Sequence, residues 1–180
     1  GQERAKGAPE DMAELYFLDI RNEQRHTAGG PTVALKPFLG SDDGIAFGTE
    51  EGFILSACFT NSRGMFSSFL HGEEIEIRLE AKYLQSVKRP YLSLIIQDSR
   101  LMNVGGKFFP LEGSLGDSGW LTGAIGVRFN ANLTSGRYHV TVRLEDRASE
   151  TNFLPIDKQV GLLSFEVVEK EKNFLGVVDL

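Results

Sequence analysis

Residues 73–81 form the most strictly patterned stretch of the chain. Its side chains divide between two faces, with Ile75, Ile77 and Leu79 on one and Glu74, Glu76, Arg78 and Glu80 on the other. Successive side chains of a β-strand point to opposite sides of the sheet, so this pattern predicts a half-buried antiparallel strand. Apolar runs at 52–60 and 91–97 flank it, with turn-forming residues at 61–64 and 71–72 between them. The three runs together predict the first edge of a β-sandwich.

Further strand patterns follow along the rest of the chain. They lie at residues 101–109, 120–130, 138–144, 160–168 and 173–180, and the polar stretch 145–158 is predicted to leave the sheet. Leu133, Gly136 and Tyr138 resemble a tyrosine corner, in which a hydroxyl bonds back to the crossing loop. About nine short strands spaced by turns predict an all-β fold, an immunoglobulin-like antiparallel sandwich over residues 45–180.

Residues 1–44 differ from the rest in pattern. A short helix is predicted over residues 9–25, because Pro9 suits a first helical turn and four apolar residues share one side, namely Met12, Leu15, Tyr16 and Ile20. Irregular sequence follows it up to residue 44. We interpret residues 1–44 as a linker with this short helix, and the N-terminus, which lacks an apolar signal core, as a cut point or linker.

Charge and cysteine content narrow the classes of partner. The 19 basic and 25 acidic residues give a net charge of −6 without a basic stripe, which argues against nucleic acid as a partner. The single cysteine, Cys58, lies in an apolar run and is predicted to be a small core residue. A chain without an internal disulfide fits a reducing compartment.

Motifs for catalysis are absent from the sequence. No phosphate-binding loop and no Gly-x-Ser-x-Gly motif occurs, and the three histidines are too far apart in sequence to suggest a zinc site. Asp98, Asp146 and His139 could approach one another, but carboxylates at strand ends are usually turn formers. The prediction is therefore a chain that is not an enzyme, with no cofactor and no metal.

One surface could bind a sugar. If Leu92, Leu94 and Ile96 face the core, then Tyr91, Ile95 and Gln97 face outward. Outward residues of other strands would add Arg78, Arg128, His139, Thr141 and Arg143. An aromatic and an isoleucine rimmed by Arg and His are typical of a shallow sugar site, although a plain solvated sheet face is the alternative. Trp120 is predicted to be either a core residue or part of such a platform.

Six motifs occur in an order known from one family. They are FGT at 47–49, NSRG at 61–64, FLHGEEIEI at 69–77, RPYLSLIIQD at 89–98, LTSGRYHVTV at 133–142 and LSFEVV at 163–168. From residue 47 onward the chain resembles the C-terminal carbohydrate-binding domain of Wzt, the ATPase subunit of ABC transporters that export O-antigen polysaccharide in Gram-negative bacteria. It departs from the family at residues 101–107, where members often carry a Phe-Gly-Thr-Asn-like run.

The resemblance implies a function and a set of partners. The domain would recognise the modified non-reducing end of a finished O-polysaccharide and so license its export, at the cytoplasmic face of the inner membrane. Its partners would be that glycan, an N-terminal ATPase domain, the membrane subunit, and a second copy that exchanges the last strand, residues 173–180. Two sites on a dimer would strengthen weak binding.

We therefore predict a ligand site made of six residues: Tyr91, Ile95, Gln97, Arg78, His139 and Arg143. The arginines favour an anionic cap, because a charged hydrogen bond contributes about 1.5–3 kcal/mol, whereas a methyl group offers roughly 1 kcal/mol of discrimination. Two alternatives remain open. One is a protein-interaction module of immunoglobulin or fibronectin type, and the other is a polysaccharide hydrolase, which would need a pair of carboxylates in a cleft.

Overall fold

The computed structural model describes residues 32–40, 44–62, 64–100, 102–149, 152–168 and 178. Within them the chain forms eleven strands and one 3-10 turn at Asp117–Gly119, with no α-helix. The strands are β1 (Ala34–Leu35), β2 (Ala46–Gly48), β3 (Gly52–Phe59), β4 (Phe66–Leu70), β5 (Glu74–Leu84), β6 (Pro90–Asp98), β7 (Asn103–Pro110), β8 (Ser114–Leu115), β9 (Trp120–Asn130), β10 (Gly136–Arg147) and β11 (Phe153–Val168). The predicted helix at 9–25 and nearly all of the predicted strand at 173–180 lie outside the described residues.

The strands form two sheets. The larger has the order β1-β2-β11-β10-β6-β7, and β4 also pairs with β11; the smaller has the order β3-β5-β9-β8. All pairings are antiparallel except that of β4 with β11. The predicted all-β sandwich is confirmed.

A buried aromatic cluster fills one end of the space between the sheets. The rings of Phe59, Phe69 and Phe165 meet edge to face with centroids 5.6–6.1 Å apart. Tyr138 stacks on Phe165 at 5.4 Å, and its hydroxyl donates a 2.8 Å hydrogen bond to the carbonyl oxygen of Thr134. The predicted tie between the tyrosine hydroxyl and the preceding loop is confirmed.

The sequence periodicity locates most strands well. The strand predicted at 120–130 has those bounds as β9, and the alternating stretch at 73–81 is the body of β5, with its apolar residues fully buried. The polar excursion predicted at 145–158 is wrong, because β10 continues to Arg147 and β11 begins at Phe153. Glu145 and Arg147 in this stretch bond to each other, as described below.

The structure corrects one prediction about a single side chain and excludes one of two alternatives for another. Cys58 is half-buried on the outer face of the smaller sheet, opposite Arg78, and is not a core residue. The register of β3 against β5 shifts between Ile54 and Ser56, and this irregularity reverses the alternation that sequence alone suggests. Trp120 also lies outside the core, on the same outer face, with its ring centroid 5.9 Å from that of Phe53.

Part of the predicted linker packs on the sandwich. β1 pairs with β2, Val33 is buried, and the Lys36 ammonium donates hydrogen bonds to the carbonyl oxygens of Gly52 and Ile156. Burial lowers the pKa of Lys36, with nearby Asp157 acting in the opposite direction. Burial also raises the pKa of Asp157, whose carboxylate accepts hydrogen bonds from inside the fold. The boundary between linker and domain at residue 45 stays a prediction.

None of the helical structure in the described part of the chain is long and apolar enough to cross a bilayer.

Candidate functional site

Five of the six predicted site residues share one face of the larger sheet. Tyr91, Ile95 and Gln97 lie on β6, and His139 and Arg143 lie on the neighbouring β10. Gln97 is directly opposite His139 in the antiparallel register, so their side chains emerge on the same side. Leu92 and Leu94 between them are buried in the core, as predicted. We call the outer face formed by these five residues the β6–β10 surface.

The structure does not bring Arg78 to this surface. Arg78 lies on β5, between Cys58 and Gly126 on the adjacent strands, and points outward from the smaller sheet. Arg128 is on the same outer face and forms a 3.2 Å ion pair with Glu76. The alternation in the sequence indicates that Arg78 faces outward but not from which of the two sheets, and the prediction that it joins the other five fails for that reason.

A fully buried carboxylate lies beneath one end of the β6–β10 surface. The two oxygens of Glu145 accept hydrogen bonds at 2.6 Å from Nε of Arg143 and Nε of Arg147, and Ser93 Oγ donates another at 2.7 Å. Glu145 itself is 0% exposed, which is unusual on the outer side of a sheet. The one carboxylate is shared by two guanidinium groups, which leaves the group of three with a net charge of +1, and these bonds hold the Arg143 guanidinium in position.

Aromatic rings cover this buried ion pair. The guanidinium carbon of Arg147 lies 4.0 Å from the ring centroid of Phe108 and 4.8 Å from that of Phe153. Arg143 lies 4.2 Å from the Phe153 centroid, and Tyr91 meets Phe108 edge to face at 5.9 Å. Rings and guanidinium groups thus form one continuous layer from β7 to β11.

Sequence reasoning missed four members of this layer: Phe108, Glu145, Arg147 and Phe153. Phe108 is in register with Ser93, and Phe153 with Arg147, so their position depends on strand pairings between distant parts of the chain. The one local signal is the spacing of Arg143, Glu145 and Arg147, three charged residues at alternate positions that continue the outer face of β10.

Hydrogen bonds also fix the other end of the surface. Thr141 Oγ1 donates to Oε1 of Gln97 at 2.8 Å and accepts from the backbone N–H of Gly161 at 3.0 Å. Gly161 has a φ of 64° and lies where the register of β11 shifts against β10. His139 Nδ1 lies 3.0 Å from Oγ of Ser164. These bonds hold the side chains of Gln97 on β6 and His139 on β10 in defined positions on the same face.

The size and composition of the β6–β10 surface suit an extended polar ligand. The six steps along β6 from Tyr91 to Gln97 span about 20 Å at the usual strand rise. An aromatic ring and an isoleucine offer apolar contact, and an amide and an imidazole offer hydrogen bonds. A sugar presents both kinds of surface, namely the apolar face of its ring and its hydroxyl groups.

The two aspartates at the ends of β6 and β10 accept hydrogen bonds from backbone N–H groups. Asp98 accepts hydrogen bonds from the backbone N–H groups of Arg100 and Met102, and Asp146 accepts from those of Lys88 and Arg89. Asp98 forms a turn, as predicted, whereas Asp146 lies within β10 and bonds to the loop that precedes β6. Across the described ranges, no three His, Cys, Asp or Glu residues are grouped so that they could hold a metal ion.

Comparison with known proteins places the chain in one family. The family model of the Wzt C-terminal domain matches residues 43–180. The crystal structure of the C-terminal domain of Wzt is similar with a TM-score of 0.63 and 14% identity, covering 80% of this chain and 89% of that one. No curated protein matches the sequence.

More distant likenesses involve parts of larger proteins. The DNA glycosylase AlkC of Pseudomonas fluorescens, bound to DNA containing an abasic-site analogue, has a TM-score of 0.36 at 14% identity, over 59% of this chain and 30% of its own. A family 123 glycoside hydrolase of Clostridium perfringens has a TM-score of 0.33 at 12% identity, over 63% of this chain and 27% of its own.

Proposed function

The chain belongs to the Wzt C-terminal domain family, and on that premise we propose that it is a non-catalytic carbohydrate-binding module. Its ligand would be the modified non-reducing terminus of an O-antigen polysaccharide, and binding would license export of that polysaccharide by an ABC transporter. The ATPase domain and the membrane subunit of the transporter would be its partners at the cytoplasmic face of the inner membrane of a Gram-negative bacterium. A second copy, paired through residues 173–180, would be a further partner.

The observation that carries this proposal is the rigid, ring-covered β6–β10 surface. Tyr91 packs against Phe108, and the arginines of the same layer are held by the buried Glu145. A preorganised surface loses little side-chain entropy when it binds, which matters for a ligand as hydrated as a sugar. Ile95, in register with Gly106 on the edge strand β7, adds an apolar contact beside the aromatic ring.

Recognition in this proposal uses two kinds of contact. The Tyr91 ring and Ile95 would lie against the apolar face of one sugar ring, and Gln97 and His139 would bond to the hydroxyls of the next. Each neutral hydrogen bond contributes about 0.5–1.5 kcal/mol, so a few of them give only weak binding. Pairing of two copies would present two sites to chains held at one transporter and raise the apparent affinity.

The test is retention on an array of O-polysaccharides carrying their terminal caps, compared with the same polysaccharides after removal of the caps. Wild type should retain a capped polysaccharide preferentially. Tyr91→Ala should lose at least about tenfold in retention, whereas Tyr91→Phe keeps the ring and should stay within a few fold. Arg78→Ala is the matched surface control, since Arg78 lies on the other sheet.

Two results would contradict the proposal. Equal retention by wild type, Tyr91→Ala and Gln97→Ala, with unchanged thermal melts, would exclude the β6–β10 surface. Recovery of a protein partner without any bound glycan would favour the alternative, an interaction module of immunoglobulin or fibronectin type.

A further inference from the structure

A separate pocket lies beside the His139 end of the β6–β10 surface. Its volume is about 250 Å³, and its lining includes Phe38, Met65, Phe66, Arg137 and Ser164. The pocket lies next to β11. Ser164 of this strand is in register with His139 of β10 on one side and with Phe66 of β4 on the other. The volume is below the roughly 300–1,000 Å³ of pockets that enclose a whole small molecule, and it suits a single substituent.

Arg137 differs from the other arginines of this face. Its side chain is exposed, and its guanidinium carbon lies 5.5 Å from the ring centroid of Phe66. Among the described residues it makes no ion pair, whereas Arg143 and Arg147 both bond to Glu145. Glu166 is its register partner on β11, yet the two form no ion pair within the described part of the chain. The five N–H donors of Arg137 are thus available to a ligand.

The hydroxyl of Ser164 supplies a second donor. When Nδ1 of His139 carries the proton, the ring donates to Ser164 Oγ at 3.0 Å, and the serine O–H is left to donate into the pocket. Arg137 and Ser164 line the same pocket. A guanidinium and a hydroxyl that face one pocket can donate to different oxygens of one oxyanion, and Phe66 and Met65 offer apolar contact beside them.

We infer that this pocket binds an oxyanion, a phosphate or a carboxylate carried by the terminal sugar of the ligand, with Arg137 and Ser164 as its donors. The inference rests on the proposed function and adds the chemical class of the cap and the residues that contact it. It moves the acidic contact from Arg143, whose guanidinium bonds to Glu145, to Arg137.

A rival cleft exists at the opposite end of the surface. It measures about 420 Å³ and is lined by Lys88 and Arg89. The Asp146 carboxylate also lines it, and the Arg89 guanidinium donates to the carbonyl oxygen of Ala148 at 2.8 Å. Asp146 offsets one of the two positive charges of this cleft, and the Arg89 guanidinium is already bonded to a carbonyl oxygen, so the cleft offers an acidic group fewer unengaged donors than its two basic residues suggest.

The test is a titration of ¹⁵N-labelled protein, followed by NMR, with glucose 6-phosphate, glucuronic acid and neutral methyl glucoside. The two acidic sugars should shift the amides of Arg137 and Ser164 and bind at least about tenfold more weakly to Arg137→Gln. Arg128→Gln removes the same charge from the other sheet and should leave their binding unchanged.

The outcomes separate the inference from the function on which it rests. If neither acidic sugar shifts the pocket amides, or if Arg137→Gln binds them as wild type does, the inference is overturned. In that case capped polysaccharide would still be retained through Tyr91 and the proposed function would survive. If the wild-type protein retains no capped polysaccharide, both the inference and the proposed function are overturned.

Discussion

Replacing Glu145 with glutamine tests whether the candidate surface depends on its buried ion pair. The carboxylate is 0% exposed and accepts three hydrogen bonds, two of them from arginines whose side chains are only 16% and 7% exposed. Removing one partner of a buried ion pair typically costs 3–5 kcal/mol, because the remaining charge has no counterion. Glutamine keeps one acceptor, so we expect the lower end, about 3 kcal/mol. For a chain of this length that corresponds to a fall in Tm of roughly 6–12 °C.

The measurement is equilibrium urea unfolding, with the midpoint and the slope fitted separately so that a change of stability is not confused with a change in the unfolded state. Glu76→Gln is the matched control. Its carboxylate pairs with Arg128 at 3.2 Å on an exposed face, where the two side chains are 33% and 65% accessible. Exposed pairs contribute at most about 1 kcal/mol, so this variant should unfold almost as wild type does. Equal losses in the two variants, or a loss below about 1 kcal/mol for Glu145→Gln, would refute the reasoning.

Three further predictions concern the sandwich itself. Tyr138→Phe removes the 2.8 Å hydrogen bond to the Thr134 carbonyl and should cost about 1 kcal/mol in urea unfolding; an unchanged midpoint would mean that water replaces the hydroxyl. Gly48→Ala would drive a Cβ into the backbone of β11 and should cost about 1–3 kcal/mol, whereas Gly105→Ala, with open space around it, should be neutral. Because burial raises the pKa of Asp157, the stability associated with this group is fully present below its unfolded pKa of about 4 and is lost as pH rises through the folded pKa. The free energy of unfolding of Asp157→Asn, measured relative to wild type, should therefore rise as the pH increases above about 4. A difference between the two proteins that stays constant with pH would contradict this.

Periodicity in the sequence predicts strands well where one face of the strand is apolar and the other polar. β5 and β9 were predicted close to their bounds because their inward residues are apolar at every second position. β4 was missed because its five residues carry two serines, and Ser67 is buried against Asn61, to which it hydrogen-bonds. One of its two inward residues is polar, and the exposed outer face carries Phe66 and Leu70, so the sequence has no periodic signal and only the pairing with β11 defines the strand.

The outward-facing residues of β6 and β10 were predictable for the same reason. Tyr91 and Gln97 lie at odd steps from the core residue Leu94, so alternation alone brings them to the outer face. The assignment of Arg78 required knowing which strands share a sheet, which depends on contacts between residues distant in the sequence. The burial of Glu145 could not be predicted, because a charged residue is expected to be exposed to solvent unless its bonding partners are known.

The two ends of the β6–β10 surface differ in how far their arginines are engaged by other groups, and this difference bears on how a polymer would lie on it. At the Tyr91 end Arg143 and Arg147 both bond to Glu145 and lie against the Phe153 ring, so apolar rings and engaged guanidinium groups form the surface. At the His139 end Arg137 makes no ion pair within the described residues, and the pocket beside it is bounded on the side away from β6 by β4 and residues 38–40. Under the proposed function, a chain that follows β6 and ends beside His139 would present its terminal unit to that pocket. Selection for an acidic end would then follow from Arg137.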